Sequence, residues 1–199
     1  MKKYLITGLI FTGILILFFW HQSFYLSWHL KPLGITMDVP GYKVENYDEL
    51  IFKERKNFEI LSRKEANIIR FKIIKDIDRE TAQKYIDNVF YSLENYFGPQ
   101  EILALYADLV EAVANSPESL KPKRETVIIN GKETPCFIVF ADKYFSYFLM
   151  TENQAFYRGI LTMIYCPKEK NLVNIEILVP KEKFNFEKIV ETLKTFKCR

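Results

Sequence analysis

Catalytic chemistry has few side chains to draw on in this sequence. Both histidines (His21, His29) and both tryptophans (Trp20, Trp28) lie in the first 31 residues, and residues 32–199 contain neither type. Ser-His-Asp and Cys-His centres are therefore excluded from the larger part of the chain. So are His-bearing zinc and non-haem iron sites. No Gly-x-Ser-x-Gly, Ser-x-x-Lys or phosphate-loop pattern is present. Cys136, Cys166 and Cys198 have no metal-ligand spacing. Cys136 and Cys166 sit in strand-like runs, where they either pair as a disulfide in an oxidising compartment or stay as buried free thiols. Cys198, beside the terminus, reads as exposed. No metal and no cofactor is expected.

Carboxylates can do acid–base work only where two converge. Glu101, Asp108 and Glu111 share one helical side at i, i+7 and i+10, which is equally the solvated face opposite Leu105, Leu109 and Val113. Asp76 and Asp78 read as helix-capping residues. Glu176, alone between Ile175 and Ile177, reads as the outward side of a half-exposed strand. The aromatic residues are the denser signal. Tyr144, Tyr147, Tyr157 and Tyr165, with Phe145, Phe148 and Phe156, crowd two neighbouring strand-like runs, and Arg158 interrupts them. As a site they would line an apolar pocket for a lipid or other hydrophobic ligand, with Arg158 at an anionic head group. As packing they are simply core.

Charge and periodicity give the elements that must position these residues. The 199-residue chain carries a formal net charge of +3, and Lys2, Lys3 and Lys31 account for all of it. Residues 32–199 hold 25 basic and 25 acidic side chains, a balance that argues against nucleic acid. Residues 4–30 contain no Asp, Glu, Lys or Arg. A helix of that length would reach about 40 Å, more than the ~30 Å of a hydrocarbon core. Trp20, Tyr25 and Trp28 cluster at its far end, as interfacial anchors do. No small-x-small cleavage site follows. The sequence thus predicts a single-pass transmembrane signal anchor over 1–31. Lys2 and Lys3 outweigh Lys31, so the N-terminus is cytoplasmic. One extracytoplasmic domain over 32–199 follows, of ordinary single-domain size.

Within that domain, alternation predicts strands at 34–39, 56–61 and 67–74, with Ile69, Phe71 and Ile73 facing one way. Asp78 caps a helix whose apolar stripe runs Ala82, Tyr85, Ile86, Val89, Leu93 and Phe97. Gly98-Pro99 stops it, and 102–114 carries a second stripe. Residues 126–130 and 134–141 form a hairpin about Asn130-Gly131. Strands at 144–150, 155–166 and 172–179 follow, and Phe186, Ile189, Val190, Leu193 and Phe196 mark a closing helix. The expected class is α+β: an N-terminal transmembrane helix, then one domain with a mainly antiparallel sheet packed against helices.

The opening Gly-Ile-Thr-Met-Asp-Val-Pro-Gly-Tyr-Lys-Val of 34–44, the mid-chain helix, the run of hairpins and the closing Phe-Glu-Lys-Ile-Val-Glu-Thr-Leu-Lys-Thr-Phe-Lys of 186–197 resemble the PsbP-like family. The resemblance is one of pattern over most of 34–197. It implies a small α/β/α sandwich, exported or membrane-tethered, that serves as an accessory factor rather than an enzyme. The expected function is a membrane-anchored, non-catalytic accessory or protein-interaction domain on the extracytoplasmic side. Its partners would be the membrane, through residues 4–30, and another membrane or envelope protein. The alternative is a small-molecule or lipid-binding domain built on the aromatic strands.

Overall fold

The computed structural model describes residues 12, 13, 17, 25–52, 55–95, 122–141 and 157–199. The expected helix over 102–114 and strand over 144–150 lie outside the described residues. So do Glu101, Asp108, Glu111, Tyr144, Tyr147 and Trp20.

Strands form where β-branched and aromatic residues run between turn signals. After a short helix α1 (Leu26–Leu30) and the two-residue β1 (Ile35–Thr36), the strands β2 (Lys43–Phe52), β3 (Arg55–Lys64) and β4 (Asn67–Ile74) make one antiparallel meander. A helix α2 (Arg79–Asn95) follows. The strands β5 (Lys123–Ile129), β6 (Lys132–Ala141), β7 (Tyr157–Cys166) and β8 (Asn171–Pro180) make a second meander. Antiparallel pairing of β4 with β8 joins the two into a seven-stranded sheet of order β2-β3-β4-β8-β7-β6-β5. Asn130 and Gly131 have φ of 54° and 71°, the pair of left-handed residues that a tight two-residue hairpin needs. The chain closes with α3 (Phe186–Lys194) and β9 (Lys197–Cys198), and β9 pairs with β1.

Helices cover both faces of the sheet. α2 lays Ala82, Ile86, Val89, Phe90 and Leu93 into a core shared with Ile68, Phe137, Leu161 and Leu178. Its start is fixed as expected, by Asp78: Thr81 N–H donates to Asp78 Oδ1 at 2.9 Å and the Thr81 hydroxyl to Oδ2 at 2.6 Å. Those bonds hold the Asp78 carboxyl below its ordinary pKa. On the opposite face α1, Leu33, Ile35, Met37 and Val39 pack with α3 and Phe196 against Phe71, Ile73, Val173 and Ile175. Every residue of β8 is consequently buried.

The N-terminal transmembrane helix expected over 4–30 is overturned. No helix among the described residues is long and apolar enough to cross a membrane. The last residues of the expected span belong to the domain instead. Leu26 and Leu30 are fully buried, Leu26 N–H donates to the Tyr42 carbonyl at 2.9 Å, and Tyr25 bridges Lys43. One side of this five-residue helix, Leu26 and Leu30, is buried in the domain. The packed domain therefore begins by Tyr25, ahead of residue 32. Two of the expected interfacial anchors, Tyr25 and Trp28, stand on this piece.

Gly159 shows how closely β7 approaches β8. A Cβ there would overlap the carbonyl oxygen of Ile177 and come within 2.7 Å of Leu178 Cδ2. Gly159→Ala is expected to lower unfolding stability by about 2 kcal/mol, seen as a lower urea midpoint at unchanged slope. A midpoint equal to wild type would show that the strands do not meet this closely.

Candidate functional site

The chemistry richest in charge lies where the sequence suggested none. Glu176 is not the outward residue of a half-exposed strand: it is 2% exposed. It shares its face with Leu172 and Leu178, which pack beneath α2. Register places Arg70 of β4 directly opposite it, with Lys72 opposite Asn174 and Glu59 of β3 opposite Lys72. Arg70 Nε lies 2.9 Å from Glu176 Oε2, and Arg70 Nη1 lies 3.4 Å from Glu59 Oε1. Asn174 Nδ2 donates to Glu176 Oε1 at 3.0 Å. The Glu176 carboxylate is thus held on both oxygens by its own sheet. The adjoining cavity, lined by Asn57, Lys72, Tyr85 and Asn174, measures about 20 Å³, room for a single water and no substrate. The arrangement suits register control: a slip of one residue would turn Arg70 and Glu176 into the apolar layer on the other side.

The aromatic site does not assemble among the described residues. Tyr157 and Tyr165 lie on the α2 side at opposite ends of β7, about 26 Å apart along the strand. Tyr157 is buried in the core, and the Tyr165 hydroxyl donates to the Ile77 carbonyl at 3.2 Å. Strand alternation puts Arg158 on the other face, with its guanidinium carbon 4.4 Å from the Phe184 ring centroid.

The cysteine pairing also differs from expectation. Cys166 is bonded to Cys198, with Cα atoms 5.4 Å apart, and Cys136 is a buried free thiol. Cys136 sits opposite Thr162, four residues before Cys166, so the two are separated by about 13 Å along the strands and cannot bridge. Pairing of β9 with β1 carries Cys198 inward to Cys166. Burial, reinforced by the Glu125 carboxylate across the strand pair, pushes the Cys136 thiol up to about 11.

A larger concavity lies on the face opposite α2. It is a cleft of about 430 Å³ between the turn at Pro40, the ends of β3 and β8, and α3. Val39, Ile177, Val179 and Ile189 form its apolar floor, while Lys64, Lys183 and Lys188 stand around it with one carboxylate, Asp38. The Lys64 ammonium donates to the Pro40 carbonyl at 2.9 Å. The Tyr42 hydroxyl, also in the lining, is raised in pKa by burial, against the opposing hydrogen bond to Asn67. Asn185 caps α3, accepting from Lys188 N–H at 2.9 Å. Sequence reading missed this cleft because its walls come from three stretches of chain, 38–42, 64–67 and 177–192, far apart in sequence. Locally the sequence offers only Lys183 and Lys188, five residues apart.

No protein-family model matches the chain, and no curated protein does either. The PsbP-like resemblance rests on the sequence pattern alone, and neither comparison supports it. Among the described residues, no three His, Cys, Asp or Glu side chains lie together as a metal site would require.

Two outcomes are expected. Removing one member of the buried pair, in Arg70→Met or Glu176→Leu, should cost about 3–5 kcal/mol, and the double substitution should cost clearly less than the sum. Additive losses in urea unfolding would show that the two groups do not interact. Cys136 should resist maleimide at pH 8 until the protein is denatured. Because the fold keeps this thiol protonated while the unfolded chain ionises near 8.5, stability should fall as pH rises from about 8.5 to 11. Labelling of the native protein at pH 8 would contradict its burial.

Proposed function

We propose that this chain is a non-catalytic accessory domain that works outside the cytoplasm. In this reading the uncharged residues ahead of Tyr25 hold it at a membrane, and it docks onto a second envelope protein. The observation that carries the reading is two exposed aromatic side chains, Trp28 and Tyr47, on elements close to where the uncharged segment enters the domain. Trp28 is 46% and Tyr47 40% exposed. The rings of His29 and Tyr47 lie 5.4 Å apart, and the Tyr47 ring lies 6.0 Å from that of Phe58 inside the sheet. Rigid aromatic side chains backed by a core are the residues that anchor protein interfaces. Tyr47 belongs to β2, an edge strand whose outer side, among the described residues, carries only the bridge from Tyr25 to Lys43. An unpaired strand edge is a ready template for a partner chain. The Cys166 to Cys198 disulfide favours an oxidising compartment.

The test is co-purification from native membranes with full-length wild type and with Trp28→Ala/Tyr47→Ala. A stoichiometric envelope protein is expected with wild type and should be lost, or reduced at least about tenfold, with the double variant. Retention by the variant would place docking elsewhere. Absence of any partner from wild type would end the reading. In the same preparation Cys166 and Cys198 should be oxidised as isolated. Free thiols at both positions would argue for a reducing compartment.

A further inference from the structure

The cleft beside α3 carries a second assignment, which involves neither Trp28 nor Tyr47 and does not depend on them. We infer that it binds a small amphiphilic carboxylate, with the apolar body on Val39, Ile177, Val179 and Ile189 and the head group among Lys64, Lys183 and Lys188.

Three features converge on that ligand class. The first is size. At about 430 Å³, the cleft falls in the range of small-molecule sites and is far larger than the single-water cavity under α2. The second is lining. Four aliphatic side chains from the loop before β2, from β8 and from α3 reach its lining at the edge of the core, each 3–8% exposed, and two of them, Ile177 and Val179, alternate on the inward side of β8. An apolar body in contact with this floor gains from burial.

The third is charge. The three lysines come from the end of β3, the turn after β8 and the first turns of α3. Against a single carboxylate, they leave the rim two positive charges in excess. Some exposed lysines of this domain take acidic partners: Lys84 meets Glu80 at 2.9 Å, and Lys194 meets Glu191 at 2.8 Å. Lys183 and Lys188 pair with no carboxylate among the described residues. Like charges gathered over an apolar floor repel one another, and a bound anion would relieve that repulsion. The Tyr42 hydroxyl and the Asn67 amide add neutral donors at the same rim. A neutral hydrophobe would gain only the floor, and a small hydrophilic anion only the rim.

The experiment is isothermal titration of the full-length protein with octanoate, 1-octanol, acetate and octyltrimethylammonium, repeated with Lys183→Gln/Lys188→Gln and with Thr192→Trp. Both lysines are exposed, so the first variant should fold as wild type does. The second is designed to fill the cleft from α3, with its fold checked by thermal unfolding. Octanoate should bind saturably. The other three probes should bind at least about tenfold more weakly, and the lysine variant should lose about tenfold in octanoate affinity. Folded Thr192→Trp should lose binding altogether. Octanol equal to octanoate would make this a plain hydrophobic cleft, and acetate equal to octanoate a plain anion site. Either result overturns the assignment. So would octanoate binding that ignores the lysine substitutions, or no saturable binding at millimolar concentration.

Discussion

The structure depends on the pairing of β4 with β8. Each strand ends one meander, and without the other each would leave an open edge at the middle of the molecule. Their seam is almost wholly buried on both faces, yet it holds an arginine against a glutamate at 2.9 Å. Desolvating such ions costs several kcal/mol each, and only close geometry with further hydrogen bonds offsets it. Here Glu59 of the neighbouring β3 and Asn174 of β8 itself supply those bonds. An apolar seam of the same width would be sticky in several registers, whereas this one satisfies its charges in one. The rest of the architecture attaches to that fixed seam. α2 lies over one side of the joined sheet, and α1 with α3 lies over the other.

What could be read from the sequence was burial on one face. Val173, Ile175, Ile177 and Val179 alternate because they meet the α3 layer, and the stripe from Ala82 to Leu93 records the contact of α2 with the sheet. The Asn130-Gly131 turn and the Asp78 cap were legible because each rests on a local backbone requirement. β2 was not legible. It is an edge strand whose Glu45, Asn46 and Asp48 are exposed, so the alternation that marks a strand is diluted by water on both sides. Glu176 misled for the opposite reason: a polar residue between two isoleucines looks the same whether its face meets solvent or meets Arg70 beneath a helix.

Residues 25–30 misled by composition. A short helix buried on one side can be as free of charge as a lipid-facing one when its outer positions are Ser27, Trp28 and His29. The candidate sites were the least legible part. The aromatic run suggested a pocket by local density, but strand alternation sends Arg158 away from Tyr157. The cleft draws its floor and rim from residues more than 150 positions apart, Asp38 and Thr192 among them, and no sequence window holds both.

The closure of β9 on β1 has a mechanical meaning. Arg199 N–H donates to the Gly34 carbonyl at 2.9 Å, Ile35 pairs with Cys198, and Cys198 is bonded to Cys166. β9 is therefore fixed beside β1, and through Cys198 to β7. Tension applied through the residues ahead of Tyr25 would meet the Tyr25–Lys43 bridge and the buried α1 before it reached β1, and beyond them the sulfur bridge ties β9 to β7. In a domain built this way β9 cannot leave the side of the sheet without also parting from Cys166.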